Sequence, residues 1–299
     1  MKHHFIHIFK RLSEVYLFTQ ESSPFIGTLS LKQSIKQGVM RLTSPYKKQR
    51  DYIENNIHLN DKAAPLRKKG YMPIEQLNSE EVDALQQLYL NYNADNKDFI
   101  KAKENGTEID SIKVLQEHML KNDIQRSYTV TSNGNDKISE LWRKESNITI
   151  AQQFLQIPRK ELNGMAFIDN LSYVESKTEF DNINALSWHR DSDHYRFLKI
   201  FYFLTDCEEG QGHHEYMSGT HRILPFKLAP LRNYHESELK DVLPNIEKVI
   251  VTGTAGKGFA EDTFGFHRGT PFTKPGSRLL MQLIYYPNDV SWGEELTPH

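Results

Sequence analysis

The segment Ser187-Trp188-His189-Arg190-Asp191 sets an imidazole and a carboxylate two positions apart. On a strand, or at its extended end, residues i and i+2 project to the same face, so His189 and Asp191 converge. Together they supply two of the three protein ligands of a non-heme iron. The third is expected to be a histidine from a distant strand, completing a 2-His-1-carboxylate facial triad. His267, in Phe264-Gly-Phe-His-Arg-Gly, ends a short apolar run 78 residues further on and is the best candidate. Arg278 follows 11 residues later, at the head of Leu279-Leu-Met-Gln-Leu-Ile284. From there a guanidinium can point inward and grip a carboxylate through two parallel N–H groups.

Taken singly, each residue has a plainer role: a core histidine bonded to Asp191, or a surface arginine paired with an acid. The plainer roles do not explain the joint spacing. Other constellations fare worse. His213-His214-Glu215 suggests a zincin, but His-Glu-x-x-His needs a histidine where this chain has Ser218. Gly253-Thr-Ala-Gly-Lys-Gly258 lacks the frame of a phosphate loop and leads to no helix, so a turn is expected. His194, His213, His214 and His221 are expected at a pocket mouth or in solvent rather than as a second metal set. Asp193, His194 and Tyr195, just beyond the motif, are candidate substrate contacts. Trp188 is expected in the core, and Arg190 and Arg268, pointed away by alternation, in salt bridges.

Short β-rich runs must position these residues. Met165–Val174, Phe197–Leu204, His213–Met217, Lys248–Thr252, Phe264–His267 and Leu279–Tyr286 follow one another between Gly-rich turns. With no helix between most of them, they predict an antiparallel sandwich or jelly roll rather than a doubly wound sheet. Before Pro158 the period is helical. Asn78 with Glu81 predicts a helix start followed by Val82, Leu85, Leu88, Tyr89 and Tyr92 on one face. Further helices are expected over Asp110–Leu120 and from Asp136 towards Phe154, and a linker or extended stretch over Leu59–Tyr71.

At His189-x-Asp191, His267 and Arg278 the chain resembles the phytanoyl-CoA dioxygenase family of Fe(II)/2-oxoglutarate oxygenases. Gly219-Thr220-His221-Arg222 is similar to that family's Gly-Ser/Thr-His turn, and the likeness spans roughly residues 160–287. Where the family often has Gly-Asp before the strand leading to the distal histidine, this chain has Gly256-Lys257, a departure that removes no ligand. The resemblance implies a mainly β fold with flanking helices, a double-stranded β-helix (jelly roll, cupin-like) packed against N-terminal helices. It implies Fe(II) on His189, Asp191 and His267, and 2-oxoglutarate chelating the iron with its far carboxylate on Arg278. O2 would take the remaining position. Turnover would release succinate and CO2 and hydroxylate an aliphatic C–H. With Asp191 present, no ligand position is vacated for halide, which favours hydroxylation over halogenation.

Composition is that of a globular chain with a sizeable core. The 299 residues include 16 Phe and 14 Tyr, and charged residues make up 25%. No run approaches the ~18 apolar residues of a membrane span. The single cysteine, Cys207, excludes a disulfide scaffold and a cysteine-based zinc finger. Residues 1–70 carry 13 Lys/Arg against 5 Asp/Glu, a balance of +8, whereas the remainder carries 24 against 34, a balance of −10. Phe5, Ile8, Phe9, Leu12 and Tyr16 fall at helical spacing, and Lys10 and Arg11 interrupt the stretch too early for a secretory signal. A basic extension over 1–70 is therefore expected, its amphipathic stretch reading either as an ordinary helix packed on the body or as a peripheral membrane contact through residues 1–50. An oxygenase domain over 71–299 is expected to follow, with helices in 71–158 and the jelly-roll core in 159–290. The expected setting is cytoplasmic or peripheral at a membrane. The substrate class is a small molecule, lipid or glycan, with no nucleic-acid partner. An expectation from another class is a catalytically inactive jelly-roll binding module docked at a membrane. The complete ligand set argues against it.

Overall fold

The computed structural model describes residues 61–92, 102–122, 124, 130–131, 136–172, 186–191, 197–222, 225–228 and 233–288. The expected interfacial helix near the N-terminus and the candidate contacts Asp193, His194 and Tyr195 lie outside the described residues. No helix among the described residues is long and apolar enough to cross a membrane.

Among the described residues, five helices lie ahead of residue 160: α1 (Ala64–Lys69), α2 (Ser79–Tyr92), α3 (Ile112–Lys121), α4 (Lys137–Trp142) and α5 (Glu145–Leu155). The start of α2 is the capping box read from Asn78 and Glu81. The Glu81 N–H donates to Asn78 Oδ1 and the Asn78 N–H to Glu81 Oε2, each at 2.9 Å. Two expectations need correction. The stretch over Leu59–Tyr71 is not a linker throughout. Pro65 sits in the first turn of α1, where its missing N–H costs nothing, and Gly70 ends the helix at φ 80°. The single helix expected from Asp136 is two, because Lys144 is extended at ψ 128°. The Asn147 side chain turns back to donate to the Leu141 carbonyl at 3.1 Å and satisfies the end of α4.

Among the described residues, nine strands form two antiparallel sheets. They are β1 (Tyr71–Ile74), β2 (Val130–Thr131), β3 (Leu162–Ser172), β4 (Leu198–Phe203), β5 (His214–Met217), β6 (Lys248–Val251), β7 (Gly258–Glu261), β8 (His267–Gly269) and β9 (Ser277–Pro287). The larger sheet runs β1-β7-β4-β9-β3-β2 and the smaller β6-β5-β8. A further helix, α6 (Glu236–Val242), precedes β6. Pro73 is tolerated because β1 lies at a sheet edge. Alternation divides the larger sheet. Leu198, Ile200, Tyr202, Leu279, Met281, Leu283 and Tyr285 pack with the helices. Phe201, Phe203, Phe259 and Leu280 pack with Val251 of the smaller sheet. The result is the expected jelly roll, with helices covering the outer face of the larger sheet.

Trp142 locks that cover in place. Its indole N–H donates to the Ile284 carbonyl at 3.0 Å, and its ring stacks on Tyr285 with centroids 4.8 Å apart. The indole passes directly over Gly164, where a Cβ would collide with both Trp142 and the Ile284 carbonyl.

The outer face of the smaller sheet is held by charge. Glu215 on β5, 5% exposed, takes Arg268 of β8 at 2.6 Å and Lys248 of β6 at 2.9 Å, and Arg268 also reaches Glu236 at 3.1 Å. The Arg268 guanidinium lies 4.6 Å over Trp188. Arg268 therefore fills the expected salt-bridge role. Arg190 sits 5.1 Å from each of the Phe264 and Phe266 rings and donates to the Leu228 carbonyl at 2.7 Å. Burial would raise the Glu215 carboxyl. Its hydrogen bonds from His213, Lys248 and Arg268 outweigh burial and hold it at about 2, below the ordinary 4.5. A depressed carboxyl stabilises the fold above its unfolded value and loses that contribution as pH falls through the folded one. E215Q is expected to lower unfolding free energy by about 2 kcal/mol at neutral pH. The gap to wild type should close between pH 4.5 and about 2 in denaturant titrations.

Candidate metal centre

His189 and His267 are brought together by backbone pairing. The His189 N–H donates to the His267 carbonyl and the His267 N–H to the His189 carbonyl, both at 3.0 Å. This antiparallel bridge continues the smaller sheet beyond β8. Asp191 is fixed next, its N–H donating to the Thr263 carbonyl at 2.9 Å. Its Oδ1 lies 3.6 Å from His189 Nε2 and its Oδ2 3.4 Å from His267 Nε2. The two imidazoles are 4.3 Å apart at 53°.

Both rings are oriented by the same device. Nδ1 of His189 donates to the Ser187 carbonyl at 2.8 Å, and Nδ1 of His267 to the Gly265 carbonyl at 3.0 Å. With the proton on Nδ1, each Nε2 offers its lone pair to the centre. The three donor atoms lie within 4.8 Å of one another, the one such group found among the described residues. Ligands in adjacent positions at bonds of ~2.1 Å sit about 3 Å apart, so this donor set needs only a small contraction to hold an ion. The residue types fit as well: two imidazoles and one carboxylate.

Burial, with the neighbouring His267, pushes His189 down to about 4 despite Asp191. Burial would raise Asp191, but Lys199 and then His267 bring it well below its ordinary value. His267 is raised: burial works against its charged form, and Asp191 outweighs that.

Lys199 is the residue the sequence reading missed. Its ammonium lies 2.6 Å from Asp191 Oδ2, with its side chain only 8% exposed. The available signal was a lone charge inside the apolar run Phe197-Leu198-Lys199-Ile200-Phe201, at the register that faces the sandwich interior. Behind His267 lies a second buried pair, His214 Nε2 with Glu261 Oε2 at 2.7 Å, and the His214 ring stacks 5.7 Å from His267. The remaining histidines need correction. His213 and His214 are buried rather than at a mouth or in solvent. The Gly210 N–H donates to His213 Nδ1 at 3.2 Å, and His221 Nε2 bonds to the Arg67 carbonyl at 3.0 Å. Sandwich strands need side chains between them as well as loops at their ends, and these histidines serve both. Trp188 is core, packed with Tyr234 and Phe266.

Arg278 opens β9 opposite Leu171. It is 6% exposed, so its guanidinium is inside the protein, and Nη1 donates to the Gly212 carbonyl.

Fold and site together define a jelly roll with a His-x-Asp…His group able to hold a metal ion at the edge of its smaller sheet. No protein-family model matches the chain, and no curated protein matches it. Solved structures do. The chain is similar to EctD from S. alaskensis in its apoform, with a TM-score of 0.51 at 18% identity over 77% of each chain. It is also similar to the epimerase SnoN in complex with Fe3+, alpha ketoglutarate and nogalamycin RO, with a TM-score of 0.48 at 15% identity over 75% of this chain and 82% of that one. The carbocyclase SnoK from nogalamycin biosynthesis aligns with a TM-score of 0.46 at 18% identity, over 81% of this chain and 96% of that one. At 18% identity the likeness to EctD speaks for the fold alone, the cupin-type jelly roll.

Asp191 is the one anionic donor of the group. D191A is expected to abolish the d–d absorption that Co(II) develops on titration into the wild-type protein, with the circular dichroism unchanged. A variant that still binds Co(II) as the wild type does would remove Asp191 from the ligand set.

Proposed function

We propose that the chain is an Fe(II)/2-oxoglutarate-dependent oxygenase of the phytanoyl-CoA dioxygenase type, hydroxylating an aliphatic C–H with release of succinate and CO2. The observation that carries this is the convergence of His189 Nε2, His267 Nε2 and an Asp191 oxygen within 4.8 Å. His189, Asp191 and His267 would hold the iron, and the iron when bound supplies the redox chemistry of O2 and 2-oxo acid that protein side chains lack. The residues supply the rest. Ser187 and Gly265 carbonyls keep the imidazole lone pairs turned inward. Phe201, Phe203, Phe259 and Leu280 keep water out of the sandwich interior. Arg278, a buried cation, would take the far carboxylate of 2-oxoglutarate through its planar fork.

The substrate is a small molecule, lipid or glycan, with Asp193, His194 and Tyr195 among its contacts. The +8 balance of residues 1–70 favours a substrate presented at an anionic membrane surface. Full-length protein should bind anionic liposomes at low salt and lose them without residues 1–60. Indifference of the full-length chain to such liposomes would end the membrane reading. An inactive binding module would have no use for a complete donor set, which is why the catalytic reading is preferred.

The central test is anaerobic addition of Fe(II) and 2-oxoglutarate, which should give the weak visible charge-transfer band of the chelate. Absence of the band would leave the binding module as the better account. R278L should weaken 2-oxoglutarate by about 1.5–3 kcal/mol, roughly 10- to 150-fold, read as its concentration dependence in succinate formation. A screen of candidate substrates for stimulated succinate release would then name the substrate.

A further inference from the structure

We infer that Lys199 is a positioning residue that keeps Asp191 a single-oxygen ligand and so holds open the coordination position a chelating 2-oxo acid needs. The inference rests on the oxygenase reading above and deepens it.

Lys199 stands on the inner face of β4, in register with Glu261 of β7 and Ile284 of β9. Its ammonium is 2.6 Å from Asp191 Oδ2. The cross-strand acid Glu261 gives Oε2 to His214 at 2.7 Å. A carboxylate offers two oxygens, and a cation can take one or both. Here an ammonium already holds Oδ2, and two cations on one carboxylate settle on different oxygens because they repel. That leaves Oδ1, the oxygen that faces His189 Nε2 at 3.6 Å. With one oxygen from Asp191 and one nitrogen from each histidine, the protein would leave room on a bound ion for a chelating 2-oxo acid. A carboxylate free to use both oxygens would close part of that room.

The test uses full-length protein, without O2, in wild type, K199M and K199R. Co(II) is titrated alone by its visible absorption, and 2-oxoglutarate is then titrated into the Co(II)-loaded protein by calorimetry. K199M, similar in length but without the ammonium, should bind Co(II) no more weakly than wild type. It should bind 2-oxoglutarate ~10-fold or more weakly. K199R, which keeps charge and donors, should recover most of that loss. K199M with wild-type affinity for 2-oxoglutarate overturns the inference. So does a folded K199M that no longer binds Co(II), since Lys199 would then assemble the donor set rather than set its denticity. A wild-type protein that takes up no Co(II) overturns the oxygenase reading and this inference with it. A wild type that binds both, matched by K199M, overturns this inference alone.

Discussion

The reciprocal backbone pairing of His189 and His267 is the constraint on which the centre depends. Two hydrogen bonds of 3.0 Å carry residues 78 positions apart to adjacent places in one small sheet. The side chains of a directly paired couple in antiparallel strands lie close on the same face. Once this pair forms, the two imidazoles must meet, and the i+2 position brings Asp191 to the same side. The fold does not arrange three ligands independently; it arranges one strand pairing and obtains the rest from local geometry.

The two sheets divide the remaining work. The larger one is a platform, with long β3 and β9 paired over their whole length and an apolar outer face sealed by helices. The smaller one is short and carries histidines, and ion pairs around Glu215 brace its outer face. Between them the interior grades from aromatic packing at Phe201, Phe203 and Phe259 to the polar cluster of Lys199, His214, Glu261 and the triad. Burying that many polar groups is tolerable because they are matched to one another, carboxylate against ammonium or imidazole.

Much of this was legible in the sequence, and the reasons are specific. His189-x-Asp191 works as a motif because strand geometry alone aligns i and i+2, and the Asn78/Glu81 capping box works because it is local. The long runs within β3, β4 and β9 are apolar on both faces, as strands covered on both sides must be. What escaped depended on distant partners. β1 and β7 are four residues each and owe their state to each other and to β4. The Phe264–His267 run forms a strand only from His267, because Gly265 belongs to a turn closed on the Asp262 carbonyl. Lys199 was hidden because charge in a strand says nothing of the acid it meets until the strand is placed.

The short helix α1 carries a practical consequence for shortening the chain. Its last turn and Gly70 offer carbonyls to the Gly219 N–H at 2.7 Å and the Asp262 N–H at 2.9 Å. Asp262 is followed at once by Thr263, whose carbonyl anchors Asp191. Leu66 is wholly enclosed. A recombinant fragment begun at Tyr71 would look tidy on a domain diagram, yet it would strip the buttress from the loop beneath His189, Asp191 and His267. Fragments meant for crystallisation or metal reconstitution should begin no later than Asp61, with any fusion partner joined ahead of it.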